Sequence, residues 1–277
     1  EKATFMNNIV VGFDFSPGSA KAVDLAIDIA NRWQEDIRLV YVVNDASQDI
    51  SAQRQEIEER IGKVQHLLKG IKLEYVVRAG KVHLELAAQA REDEASLVIV
   101  GTHGMSGFRH NWIGKNTYQT ITESEAPVLS VREDFNFSKD LEHIVLPLDS
   151  TSATRQKAPL AARFAKTFGA TVHILGLYTS DNKDVRRLVD GYVEQVDKFL
   201  TKHGIAHEVE YTEARKNLTI STLEYADKIN ADLIVIMTEQ EEALGSWFVG
   251  TYAQQMLTLS KRPILSMRPE EFGSVAR

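Results

Sequence analysis

No cysteine occurs anywhere in the 277 residues. Disulfides, thiolate nucleophiles and Cys-ligated zinc or iron–sulfur centres are therefore excluded, and the expectation is a cytosolic protein in a reducing compartment. Basic charge is in the minority: 32 Lys and Arg face 39 Asp and Glu, a net charge of -7. A sequence-independent grip on DNA or RNA needs clustered cations against phosphate, so no nucleic-acid partner is expected. Long apolar runs are missing too. Stretches such as Leu97-Val98-Ile99-Val100 fall far short of the ~20 residues a membrane-spanning helix needs, and no charged-then-apolar leader is visible, so no membrane association is expected. A Walker phosphate loop is also absent, because Gly114-Lys115 is followed by Asn116 and lacks the upstream glycine. What remains is 43% hydrophobic and 26% charged residues, a balance typical of globular domains with real cores.

The sequence repeats itself. Ile9-Val10-Val11-Gly12-Phe13-Asp14 returns 135 residues later as Ile144-Val145-Leu146-Pro147-Leu148-Asp149. Leu97-Val98-Ile99-Val100 returns as Leu233-Ile234-Val235-Ile236, and the segment from Ala126 to Arg132 returns as that from Arg262 to Arg268, both 136 residues on. So steady a register means duplication, and two units of this size are complete domains rather than solenoid repeats. The expected domains are 1–135 and 141–270, with a tail over 271–277 and a polar junction at 133–141.

Within each unit the apolar runs are short, continuous and rich in β-branched residues, as in strands buried on both faces, and amphipathic segments separate them. Strands are expected over 8–14, 37–43, 72–78, 96–101 and 127–132, then over 143–148, 171–178, 206–211, 232–237 and 263–268. Long helical crossovers between strands dictate parallel pairing. The fold class is α/β: two tandem domains, each an open five-stranded parallel sheet flanked by helices. Ser16-Pro17 reads as an N-cap followed by proline at the first helical position, ahead of a stripe of Val23, Ala26, Ile27, Ala30 and Trp33. A second helix carries Ile57, Ile61, Val64 and Leu68. Pro159 falls where the first helix of the second unit should be in mid-course, and should kink it or delay its start.

Open parallel sheets bind ligands beyond the carboxyl ends of their strands, where strand order reverses. The fourth strand runs into Gly101-Thr102-His103-Gly104-Met105-Ser106-Gly107, and Gly114 follows just ahead of a helical segment beginning at Lys115. Glycines let the backbone bring its N–H groups close to an anion, and a helix N-terminus adds unsatisfied donors. The bland alternative is an ordinary strand-to-helix turn. Asp14 has two readings of its own, a turn residue accepting backbone N–H bonds or a ligand contact. His103 reads as a surface histidine with no catalytic role. His203 and His207 straddle Gly204 at a helix-to-strand turn and share no helix face.

The spacing of Gly101, Gly104 and Gly114, G-x2-G-x9-G, within a duplicated α/β unit resembles the universal stress proteins in their tandem form, an adenine nucleotide alpha hydrolase-like fold, over nearly the whole chain. The resemblance implies an ATP or other adenine-nucleotide site, with or without Mg2+. Asp14 would lie near the nucleotide, Val42 against the adenine, and Gly101, Gly104 and Gly114 around the phosphates. The chain departs from that pattern at Lys115, where the family's nucleotide binders carry Ser or Thr. A hydroxyl is lost and a cation gained, two opposing effects of about 1 kcal/mol each.

In the second unit the loop becomes Met237-Thr238-Glu239-Gln240-Glu241-Glu242, which removes the cradle and adds like charge, so nucleotide is expected in the first unit only. Gly250 there reads as the start of a packed helix. The leading function is a stress-response binding or regulatory protein; the alternatives are a ligand-free interaction scaffold and a weak ATPase. Related adenylating ligases carry a Ser-Gly-Gly loop where this chain reads Asp14-Phe15-Ser16-Pro17, which disfavours that chemistry. The resemblance further implies an intramolecular pseudo-dimer through the last strands of the two units, and leaves further homo-oligomerisation open.

Overall fold

A computed structural model of the chain describes residues 8–47, 49–102, 115–135, 141–214, 217–238 and 251–269. The chain divides into two compact units, Glu1–Phe135 and Asn136–Arg277. The first contains β1 (Asn8–Gly12), α1 (Pro17–Trp33), β2 (Asp36–Val43), α2 (Ser51–Val64), β3 (Leu73–Ala79), α3 (Val82–Glu92), β4 (Leu97–Thr102), α4 (Lys115–Glu123) and β5 (Val128–Arg132). The second contains β6 (His143–Leu148), α5 (Ala158–Phe168), β7 (Thr171–Tyr178), α6 (Lys183–Lys202), β8 (His207–Glu213), α7 (Leu218–Lys228), β9 (Leu233–Met237), α8 (Thr251–Leu259) and β10 (Ile264–Met267).

All pairings within each unit are parallel. The first runs β3-β2-β1-β4-β5 and the second β8-β7-β6-β9-β10. The chain winds outward from β1 through β2 to β3, then returns to place β4 on the other side of β1. This reversal puts a crevice between the carboxyl ends of β1 and β4. Ile9, Val10 and Val11 of β1 and Leu97, Val98 and Ile99 of β4 are wholly or almost wholly buried. Each such side chain contributes about 1.5–3 kcal/mol by leaving water, which is why unbroken aliphatic runs mark the central strands.

The expected strands fall within two residues of the observed ones. Two differences have local causes. β1 ends at Gly12 rather than Asp14: the Phe13 amide still donates to the Val40 carbonyl at 3.0 Å, but the next residues turn away. The second helix stops at Val64 and tightens into a 3-10 turn, Gln65–Leu67. There Asn31 of α1 donates to the Leu67 carbonyl at 2.9 Å and accepts from the Lys69 amide at 2.8 Å, closing the segment before Leu68 can join the stripe. Of the expected stripe on this helix, Ile57 is the residue that becomes buried.

Ser16 caps α1 as expected, its hydroxyl accepting from the Ser19 amide at 3.2 Å, with Pro17 in the first turn. Pro159 delays its helix rather than kinking it. Residues Ser152–Lys157 form a 3-10 segment, and the α-helix begins at Ala158 with the proline in its first turn, where the missing N–H would have had no intrahelical partner anyway.

Candidate functional site

The crevice of the first unit is built from the turn after β1, the start of α1 and the end of β4. Asp14 accepts from the Ser16 backbone amide at 3.0 Å and from the Ser16 hydroxyl. Its own amide donates to the Ser19 hydroxyl at 3.3 Å, and that hydroxyl donates to the Ser16 carbonyl at 3.0 Å. These bonds hold an Asx turn that feeds straight into the helix. Asp14 therefore does what a turn residue does, and it is also exposed to solvent. Between Asp14 and Ser16 the chain passes through a left-handed conformation at Phe15, φ 64°, which costs about 1–3 kcal/mol for a bulky residue. Tertiary contacts hold it there: the Phe15 ring meets Phe13 edge-on at 5.0 Å and Tyr41 at 5.3 Å, and the Arg60 guanidinium lies 5.4 Å over its centroid.

Gly101 is fixed by close backbone approach. A Cβ at this position would lie 2.2 Å from the Gly18 carbonyl carbon and 2.5 Å from the Ser19 nitrogen, and a Cβ on Gly18 would lie 2.9 Å from the Thr102 carbonyl oxygen. The two glycines cross, letting the end of β4 lie against the first turn of α1. Packing alone thus demands glycine at 101. Thr117 of α4 donates to the Gly101 carbonyl at 3.4 Å, tying the next helix to the same strand end. Lys115 is the first residue of α4, so the free amides of that helix start there. Val42 is half-buried near the end of β2, in register with Arg78. Gly104, Gly114 and His103 lie outside the described residues, as does the 239–250 stretch that carries the glutamates of the second loop and Gly250. Gly101 lies against the α1 turn that carries Ser19, the partner of the Asp14 amide, and Thr117 ties α4 to Gly101, while Val42 stands two strands from β4.

The second unit repeats the aspartate's bonds in this turn but not the cap, since the Thr154 amide donates to the Thr151 carbonyl at 3.2 Å and not to its hydroxyl. Asp149 accepts from the Thr151 amide at 2.9 Å and from its hydroxyl at 2.6 Å, and the Asp149 amide lies 3.3 Å from the Thr154 hydroxyl. Thr102 and Thr238 likewise donate from corresponding places to the Val131 and Met267 carbonyls. The surroundings differ. Asp149 is 4% exposed. Met237, fully buried, stands at the position of Gly101, and Ala153 at that of Gly18. With side chains on both sides of the crossing, the first turn forms as the 3-10 segment.

Lys157, at the position of Ala22, is fully buried, and its ammonium donates to the Pro147 carbonyl and to the Thr154 hydroxyl at 3.4 Å. Burial pushes the lysine down to about 8, with the Asp149 carboxylate opposing that shift. Tyr252, also buried, has its hydroxyl 3.4 Å from that of Thr222. Burial raises its pKa, and Asp149 adds to the rise. Sequence reading missed Lys157. Its signal was the duplication itself, a lysine in register with a buried alanine.

His203 and His207 have separate partners, as their flanking of a turn suggested. His203 Nδ1 lies 2.7 Å from the Phe199 carbonyl, and His207 Nε2 lies 3.0 Å from Asp197. Among the described residues no group of three His, Asp or Glu side chains could hold a metal ion, and no helix is long and apolar enough to cross a membrane.

A duplicated open parallel sheet, with an Asx turn at each switch point and a glycine crossing at the first, defines a tandem α/β fold. Residues 6–132 and 141–268 both match the model of the universal stress protein family, and the chain belongs to that family. It is 27% identical over 146 residues to universal stress protein YxiE of Bacillus subtilis, covering 46% of this chain and 99% of that protein. A universal stress protein of Methanocaldococcus jannaschii is 25% identical over 138 residues, 45% of this chain and 81% of that protein. Each of these relatives therefore matches about one unit's length. The crystal structure of a universal stress protein from Archaeoglobus fulgidus superposes with a TM-score of 0.75 at 18% identity, covering 95% of this chain and 98% of that one, and supports the fold.

Proposed function

We propose that the chain is a stress-response binding or regulatory protein that takes one adenine nucleotide, ATP being the reference ligand, in its first unit and none in its second. The carrying observation is the contrast between Asp14 and Asp149. The same turn is exposed in the first unit and 4% exposed in the second, where a lysine already lies buried nearby. A polyphosphate would meet the amides at the start of α4 and the Lys115 cation, whose attraction replaces the hydroxyl found in relatives. Asp14 would reach the ribose or a phosphate-bound Mg2+, and Val42 would lie against the base. Gly104 and Gly114 would complete the cradle beside Gly101.

Binding without turnover is the favoured mode. Phosphoryl transfer wants a base or water-positioning group and a metal carboxylate, and among the described residues Asp14 is the carboxylate at this turn. The second unit serves on this reading as a scaffold. In its own unit β5 or β10 ends the strand order, and pairing these two strands across a pseudo-twofold axis would hide two edges that otherwise invite aggregation. A cytosolic location fits the absence of cysteine.

Mass spectrometry of small molecules released from purified protein tests this reading, with thermal shift against added ATP for wild type and Gly104→Val. Bound or added adenine nucleotide should stabilise the wild type and not the variant. An empty wild-type chain that also ignores ATP would overturn it.

A further inference from the structure

On the face of the second sheet that α7 covers, away from the crevice, lies a cluster that binding does not use. His143 opens β6, and its Nδ1 lies 3.0 Å from Nε2 of His173 on β7. The other nitrogen of His173, Nδ1, faces the Tyr225 hydroxyl of α7 at 3.4 Å and the Glu208 carboxylate of β8 at 3.6 Å. His173 is buried, and Tyr225 is part-buried against it with ring centroids 6.3 Å apart. Further out, Glu210 of β8 acts on Tyr225 by its charge, and the Lys228 ammonium of α7 lies 5.9 Å from the Tyr225 ring centroid. The Asp232 carboxylate, just before β9, accepts from the backbone amides of Glu142 and His143, both at 2.9 Å.

The first unit fills the same positions differently. His173 corresponds to Arg38 and Glu208 to Glu74: Arg38 pairs with Glu74 in the β2–β3 register as His173 pairs with Glu208 in the β7–β8 register. Arg38 makes ion pairs to Glu74 at 2.7 Å and Asp93 at 3.2 Å, and Asn8 stands where His143 stands. A guanidinium holds its charge at every physiological pH and an imidazole does not. This chain thus carries a fixed ion-pair network in one unit and a titratable one in the other.

The hydrogen bonds dictate how protons load. Because the Glu208 carboxylate can only accept, the neutral His173 carries its hydrogen on Nδ1, which leaves Nε2 to accept from His143 Nδ1–H. A proton on the outer nitrogen of His143 would keep every one of these bonds. A second must go to His173 Nε2, where it sets two N–H groups against each other across 3.0 Å and two like charges side by side. We infer that the His143–His173 pair is a two-proton latch, which holds the His173 ring against Tyr225 of α7 until the second proton drives the two imidazoles apart. Burial and the neighbouring His143 both hold the His173 imidazole below its usual range, with Glu208 opposing them. An imidazole with a lowered folded-state pKa gives stability that is complete above the ordinary imidazole range. That stability is lost as pH falls through this range towards the folded value.

Imidazole NMR titration of the full chain from pH 8 to 4.5, combined with hydrogen exchange corrected for intrinsic rates, tests the latch. The His173 imidazole should protonate below the ordinary imidazole range, and protection of α7 should fall at least tenfold over that second step while α3 of the first unit keeps its own. His143→Asn, the residue of the first unit, should abolish the second step and the acid loss of protection; His173→Arg, paired with Glu208, should do the same. Two imidazoles titrating independently in the ordinary range, or α7 protection unmoved across the second step, would overturn the inference in the wild-type protein alone. Nucleotide binding by the first unit stands or falls separately.

Discussion

The two units share one turn and treat it in opposite ways. In the first, an aspartate and two serines shape an exposed entry to α1, and a glycine crossing brings β4 flush against that helix. In the second, an aspartate and two threonines make corresponding bonds, yet a methionine fills the crossing and a lysine fills an alanine's place in the core. Turn chemistry is thus separable from site chemistry. Hydrogen bonds between near neighbours reproduce the loop, while the volume and charge packed behind it decide whether the edge faces solvent or its own unit.

Exchanging residues between the units should break that comparison most severely at the crossing. Gly101→Met drives a side chain into the Gly18 backbone and should cost about 3 kcal/mol, whereas Met237→Gly empties a filled core position and should cost at least 2 kcal/mol; urea unfolding of each variant measures both. Next comes the buried charge. Lys157→Met removes the buried cation that acts on Asp149 and should destabilise by about 3 kcal/mol, and adding Asp149→Asn should recover most of the loss, since removing both charges is close to neutral.

The same lysine gives a pH signature. Its folded-state pKa of about 8 lies below the 10.5 of an unperturbed lysine, so between these values the unfolded chain binds more protons and stability rises with pH. Denaturant midpoints of wild type from pH 8 to 10.5 should show this rise, and Lys157→Met should lack it. Asp149→Ala should then cost about 2 kcal/mol by stranding buried donors, against about 1 kcal/mol for exposed Asp14→Ala, read by thermal melts. The smallest effect is expected at the cap, where Ser16→Ala should lose about 1 kcal/mol or less.

Much of the fold could be read from the chain because its rules are local. Aliphatic runs such as Ile9 to Val11 and Leu233 to Ile236 mark doubly covered strands wherever they occur, and Ser16-Pro17 and Pro159 carry helix starts in their own chemistry. The failures came from contacts across sequence. Asn31 ends α2's neighbourhood from thirty-odd residues away, so Leu68 looked helical by spacing alone. Gly101 suggested a phosphate cradle, and its backbone approach to Gly18 shows that packing requires a glycine there in any case. Lys157 and the His143–His173 pair were visible as departures within the duplication, but their meaning depended on burial and on which nitrogen met which.

The central claim is that only the open copy of the shared turn takes a ligand. Native mass spectrometry of the full chain titrated with ATP counts nucleotides per chain directly. One bound nucleotide, lost in Gly104→Val and retained in Lys157→Met, is the predicted result; two per chain, or none at saturating ATP, would contradict it.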